Sequence, residues 1–190
     1  MAQEHRGPAL VLITGLPGSG KTTLVERVFE HYSKKGFSVS GVITEETRSG
    51  GERSGFKIRD LASGEEGWLA RKGDDAGPRI GRYSVAVGDV ERVGVRALEA
   101  ACKGDGDMVL IDEVGPMEMA VFSFRKALSE AFNCGKIVVA TVRYGSHYSE
   151  VEEASKGREV KRVLVSPNDR DAVFHELVGI IDEALTMARE

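Results

Sequence analysis

The chain has 190 residues, enough to bury a full core, and its 41% hydrophobic and 29% charged residues are an ordinary globular composition. A net charge of −4 supplies no basic excess for nucleic acid, and no apolar run approaches membrane-spanning length. Two cysteines, Cys102 and Cys134, are too few and too far apart in sequence for a disulfide framework or a metal cluster and read as reduced thiols, so the expectation is one cytoplasmic domain over residues 1–190.

The first apolar run is short and follows Glu4 and Arg6, so it reads as a buried strand over residues 9–14 and not as a signal peptide. After it comes Gly15-Leu16-Pro17-Gly18-Ser19-Gly20-Lys21-Thr22, which fits the phosphate-binding pattern G-x-x-x-x-G-K-[ST] at every fixed position. Leu24, Val25, Val28, Phe29 and Tyr32 then recur at helical spacing, so the loop joins a strand to a helix, the context this pattern requires. Glycines let successive amides converge on an anion, and the helix N-terminus adds unpaired N–H groups and a favourable dipole. Lys21 is placed to reach the β- and γ-phosphates of a nucleoside triphosphate, and the Thr22 hydroxyl to ligate Mg²⁺. Thr23 either touches a phosphate or caps the helix.

A second strand is predicted over residues 37–44, entered through Gly36. The turn clusters Ser49-Gly50-Gly51-Glu52 and Ala62-Ser63-Gly64-Glu65 then mark a hairpin-rich, antiparallel insertion over about residues 45–87, with an edge strand over 82–87. Phe56 and Trp68 read as residues packing this insertion onto the core. Glu45, Glu46 and Arg48 either line a pocket or stitch the hairpin through ion pairs, the second being preferred. Val90, Val93, Ala97, Leu98 and Ala101 form one side of a helix, and strands over 108–112 and 136–141 flank a helix over 121–132. The last strand is predicted over 160–165. Ser166 is placed to cap the final helix with Pro167 at its first position. Alternation of apolar strands with amphipathic helices predicts a three-layer α/β fold with a mostly parallel sheet.

Met108-Val109-Leu110-Ile111-Asp112-Glu113 is the second chemical motif, an apolar strand ending in two acids and continuing into Val114 and Gly115. Ligands bind beyond the carboxyl ends of strands in a parallel sheet, so this segment is expected beside the phosphate loop. Asp112 then holds Mg²⁺ directly or through water, and Glu113 orients and deprotonates the attacking water. Thr141, ending a neighbouring strand, is either a polar sensor of the γ-phosphate and water or a plain strand-end threonine. Arg143 is either an internal arginine finger or a solvated arginine. His5, His31, His147 and His175 show no metal-ligand spacing.

The chain resembles the THEP1-like nucleoside-triphosphatase family over nearly its whole length. The residues that carry the likeness are the phosphate loop, Gly41-Val42-Ile43-Thr44-Glu45-Glu46-Thr47-Arg48 with Gly55-Phe56-Lys57-Ile58, Asp112-Glu113-Val114-Gly115-Pro116-Met117-Glu118, and Ser166-Pro167-Asn168-Asp169-Arg170-Asp171. Two segments depart from the family pattern: Ala140-Thr141-Val142-Arg143-Tyr144-Gly145 lacks a proline-containing turn, and the Asn of the last motif is displaced. The resemblance implies a RecA-like P-loop core and Mg²⁺-dependent hydrolysis of several nucleoside triphosphates with broad base tolerance. Two other functions stay open. One is a nucleotide or nucleoside kinase using Arg48, Arg53, Arg79 and Arg82 around an acceptor, and the other is a slow nucleotide-dependent switch. Base preference and oligomeric state are not legible in one chain.

Overall fold

Among the described residues nine strands form one sheet in the order β5-β6-β4-β3-β2-β7-β8-β1-β9. The computed structural model describes residues 9–73 and 76–188, and the expectation for His5 falls outside them, as do Glu4 and Arg6. The strands are β1 (Leu10–Gly15), β2 (Val39–Ser49), β3 (Glu52–Asp60), β4 (Glu66–Arg71), β5 (Arg79–Ile80), β6 (Tyr83–Val85), β7 (Met108–Val114), β8 (Ile137–Arg143) and β9 (Val160–Leu164). From β2 through β9 the neighbours run parallel, and from β2 outward through β3, β4, β6 and β5 they run antiparallel. The antiparallel insertion is therefore a continuation of the same sheet. Its hinge is β2, which pairs with β7 through Val39–Val42 and then extends as one arm of a long hairpin with β3.

Alternation along the strands sorts their side chains into two cores. Leu10, Leu12, Val109, Ile111, Val138 and Ala140 face one layer. That layer holds α2, a continuous helical stretch of the segments Val87–Asp89, Val90–Val95 with π-type hydrogen bonding, and Arg96–Lys103. It also holds α3 (Phe122–Phe132) and the short α4 (Ser149–Ser155). Val11, Ile13, Met108, Leu110, Ile137 and Val139 face the other layer, made by α1 (Lys21–Lys34) and α5 (Arg170–Met187). The two helices of this layer are tied by the Tyr32 hydroxyl, which donates to Val178 O at 3.1 Å and Asp182 Oδ1 at 2.9 Å, and by the Arg27–Asp171 ion pair at 2.7 Å. Among the described residues no helix is long and apolar enough to cross a membrane.

Several boundaries differ from the sequence expectation. β2 runs to Ser49, because beyond Thr44 its backbone groups find antiparallel partners in β3. The expected edge strand over 82–87 shrinks to Tyr83–Val85 and is itself flanked by Arg79–Ile80. The final helix begins at Arg170: Ser166 does not cap it, since the Ser166 N–H donates to Asp169 Oδ1 at 2.8 Å within a turn that precedes the helix. Helix α4 had no sequence expectation, because seven residues carrying only Val151 and Ala154 as buried positions show too little periodicity. Cys102 and Cys134, remote in sequence, pack side by side with their thiols hydrogen bonded, and both are free.

Candidate active site

The strand alternation that builds the core also aims the site. Met108 and Leu110 point toward α1, so the next even position, Asp112, emerges on the same face at the strand's carboxyl end, and Thr141 follows Ile137 and Val139 in the same way. Asp112 meets the first turn of α1, and Thr141 meets Asp112. Thr22 Oγ1 donates to Asp112 Oδ2 at 2.8 Å and Thr141 Oγ1 donates to Asp112 Oδ1 at 2.6 Å. Asp112 is 1% exposed and Thr141 fully buried. Burial is the largest influence on Asp112 and pushes its carboxyl up to about 6; the two threonine hydroxyls and Lys21 oppose this, while the charge of Glu113 adds to it.

Residues 15–22 wrap around the Lys21 side chain, whose Nζ donates to Gly15 O at 3.0 Å and Leu16 O at 3.3 Å. The loop's glycines have distinct tasks. Gly20 takes φ 101° at the cap of α1, and Gly15 passes so close to β9 that an added Cβ would stand 2.6 Å from Val165 O. The first turn of α1 contains no acidic side chain, which keeps its N–H end favourable to anions. Within the loop Ser19 is buried, Leu16, Pro17 and Gly18 are exposed, and the Thr23 side of α1 faces solvent.

Sequence reasoning assigned no role to Arg170. Its Nε donates to Ser19 O at 3.0 Å and its Nη2 to Gly18 O at 3.4 Å, so the first residue of α5 braces the phosphate loop from outside. The available signal was its place in the Ser166–Asp171 motif, which carried the family likeness without a stated contact.

Glu113 is half-buried beside Asp112, where the β7–β8 register skips between Ile111 and Val114 and the Asp112–Glu113 peptide bond is cis. Arg143 is exposed and ends β8 in register with Gly15, which places it at the rim of the phosphate loop. Glu118 is buried beyond Glu113 in the turn Glu118–Ala120; burial and the charge of Glu113 hold its carboxyl well above the usual range. The hairpin acids are structural in their contacts: Glu46 pairs with Arg48 at 2.7 Å and Arg53 at 2.6 Å, and Glu45 with Arg59 at 3.0 Å. Two of the four arginines considered for an acceptor site are thus engaged with Glu46. A groove of about 410 Å³ lined by Pro116, Met119, Arg125 and Tyr148 among others has no lining residue from the phosphate loop.

A buried carboxylate and a neighbouring hydroxyl, both oxygen donors, at the helix N-terminus suit a small hard cation such as Mg²⁺, so Thr22 and Asp112 fit the expected metal ligands. Chemically, the arrangement offers a phosphate cradle, an ammonium group, a hard-metal position and an adjacent carboxylate able to take a proton.

A protein-family model described as NTPase matches residues 10–178. The chain belongs to this NTPase family. Among similar proteins in the NTPase family is the nucleoside-triphosphatase THEP1 of Methanothermobacter thermautotrophicus, 39% identical over 173 residues that span 91% of this chain and 96% of the relative. The nucleoside-triphosphatase THEP1 of Thermofilum pendens is 42% identical over 87% of this chain and 91% of its own. Among solved structures, THEP1 from the hyperthermophile Aquifex aeolicus superposes with a TM-score of 0.77 at 28% identity, covering 91% of this chain and 98% of that one. A human cancer-related nucleoside triphosphatase superposes with a TM-score of 0.78 at 32% identity, covering 92% and 98%. The fold is thus the α/β fold expected from the strand and helix pattern, with the P-loop core that the resemblance implies.

Proposed function

We propose that this protein hydrolyses the β,γ-phosphoanhydride bond of nucleoside 5′-triphosphates, ATP and GTP among them, in a Mg²⁺-dependent reaction with broad base tolerance. The observation that carries this reading is the interlocked set Thr22, Asp112 and Thr141 under the phosphate loop, with Glu113 next in the chain. The names of the relatives point the same way. Broad base tolerance is supported by the concentration of the site's groups on phosphate chemistry.

In the proposed mechanism the loop amides of residues 15–20 and the α1 N-terminus bind the β- and γ-phosphates, and Lys21 Nζ leaves the Gly15 and Leu16 carbonyls for phosphate oxygens. Thr22 and Asp112 would hold Mg²⁺, which when bound supplies positive charge to the β- and γ-phosphate oxygens. Glu113 takes a proton from a water as its oxygen bonds to the γ-phosphorus; the bond to the bridging oxygen breaks and its electron pair leaves with the diphosphate. Thr141 holds Asp112 in place, and Arg143, at the rim beside Gly15, offsets charge developing on the γ-phosphoryl group.

The test is phosphate release from ATP, GTP, CTP and UTP with and without Mg²⁺, by wild type and Glu113→Gln, with nucleotide binding measured in parallel. Hydrolysis of all four only with Mg²⁺, and a loss on the order of 10² in turnover with binding retained in the variant, is expected. Tight binding without phosphate release, or an unaffected variant, would overturn it.

A further inference from the structure

Arg170, the first residue of α5, lies flat on the phosphate loop. A Cβ added to Gly20 would stand 2.9 Å from Arg170 Cζ, and the guanidinium donates to Ser19 O at 3.0 Å and Gly18 O at 3.4 Å. A peptide unit is planar and trans, so its C=O and the N–H that follows point in opposite directions. Drawing the Ser19 carbonyl out to Arg170 therefore turns the Gly20 N–H to the other side of the loop. The direction of that N–H depends on where α5 begins.

The start of α5 is held from α1. Asp171 and Phe174 stand three apart in α5 and so share one side of its first turn. A single side chain meets both. Arg27 of α1 donates from Nη1 to Asp171 Oδ1 at 2.7 Å, while its guanidinium carbon stands 4.2 Å from the centre of the Phe174 ring. The edge of one planar group makes the ion pair and its face covers the ring, a combination that arginine allows and lysine does not. His31, one turn further along α1, meets the same ring edge-on at 5.7 Å. Asp171 is exposed, so the ion pair alone is a weak tie; the stack on Phe174, which packs against the α1–α5 core, anchors it. The contacts close a circuit: the loop runs into α1, Arg27 on α1 holds Asp171 and Phe174, and the residue before Asp171 returns to the loop as Arg170.

We propose that Arg27 is a positioning residue for nucleotide binding: by holding Asp171 and Phe174 it sets Arg170 against the phosphate loop and keeps the loop in its phosphate-receiving shape before the nucleotide arrives. The proposal rests on residues 15–22 binding the phosphates as described above. Arg27 acts through α5 and takes no part in the chemistry. Its effect is preorganisation, and it appears in affinity because a loop ordered beforehand loses less freedom on binding.

The experiment measures ADP binding by calorimetry with Mg²⁺ present, steady-state ATP hydrolysis and melting temperature for wild type, R27A, D171A, R170A and the double variant R27A/R170A. R27A is expected to raise the Kd for ADP and the KM for ATP about three- to fivefold, with kcat within about twofold. R27A added to R170A should raise Kd by less than about 1.5-fold beyond R170A alone, because both substitutions release the same brace. Should R27A fail to fold, D171A carries the test: it changes an exposed residue, removes the ion pair alone and is expected to raise Kd about twofold. Wild-type Kd and KM in a folded R27A, even with a lowered melting temperature, would show a purely structural contact and overturn the positioning role. Losses in R27A and R170A that simply multiply in the double variant overturn it too, as does wild-type Kd in D171A where R27A does not fold. A wild type that neither binds ADP nor releases phosphate overturns instead the phosphate-binding reading on which it rests.

Discussion

Thr141 donates to Asp112 Oδ1 at 2.6 Å from a fully buried position, while Thr22 holds the other oxygen of the same carboxyl group. Two threonines on different elements therefore fix one acid in both position and rotation. Thr141→Val keeps the shape and removes the donor, leaving a buried carboxylate oxygen short of a partner. A loss of about tenfold in kcat and a higher Mg²⁺ concentration for half-maximal rate are expected, with Thr141→Ser close to wild type. Mg²⁺ titrations of phosphate release check this, and an unchanged Thr141→Val would reduce Thr141 to a strand-end residue.

Arg170 braces the phosphate loop through Ser19 O and Gly18 O. Arg170→Ala frees the carbonyl side of the loop whose amides are proposed to bind phosphate, so ground-state binding should suffer more than chemistry. The expected result is a KM for ATP raised about three- to tenfold with kcat within about twofold. Arg170→Lys has no planar fork and should recover only part of the loss. A fall in kcat with KM unchanged would instead assign Arg170 to the transition state.

The buried Glu118 makes stability depend on pH. Its carboxyl is held well above the ordinary value of 4.5, chiefly by burial and then by the charge of Glu113. For an acid whose folded value is raised, the stabilising contribution is fully present below about pH 4.5 and is lost as pH rises through the folded value. E118Q cannot ionise and escapes that loss. The melting temperature of E118Q minus that of wild type should therefore grow as pH is raised from about 4.5 toward 8, as read by thermal denaturation at matched ionic strength. Parallel curves for the two proteins would show that Glu118 ionises in the folded state at no cost.

Cys102 is pushed up to about 12, first by burial and then by the hydrogen bond with the Cys134 thiol. Only the thiolate reacts readily with disulfide reagents. At pH 8 Cys102 in native C134A should react with a chromogenic disulfide at least about 10²-fold more slowly than the same protein in urea, because burial alone keeps the thiol protonated. Equal native and unfolded rates would mean that the α2–α3 contact opens readily.

The phosphate loop and the paired acids were legible because each is a contiguous segment whose residue types state their chemistry. Residues 15–22 need only the strand before and the helix after, and residues 108–113 need only a buried strand with a polar end. The two faces of β7 and β8 were legible for a similar reason, since a period of two assigns each residue to one side of the sheet. Hairpin ion pairs such as Glu46 with Arg53 lay within reach too, because the turn at residues 49–52 brings their positions together.

Other features have no local signature. The start of α5 was misplaced because Ser166 and Pro167 resemble a helix cap, whereas the Asp169 carboxylate draws the Ser166 N–H into a separate turn. Arg170 over Gly18 and Thr141 on Asp112 depend on strand order and on how deeply each segment is buried. By itself the sequence determined which residues could bind phosphate and which acids could serve them, because backbone freedom and side-chain chemistry are properties of a short segment. Only the tertiary structure decided which of these groups meet, because a periodic pattern names the face a side chain occupies but leaves its partner across the sheet to packing.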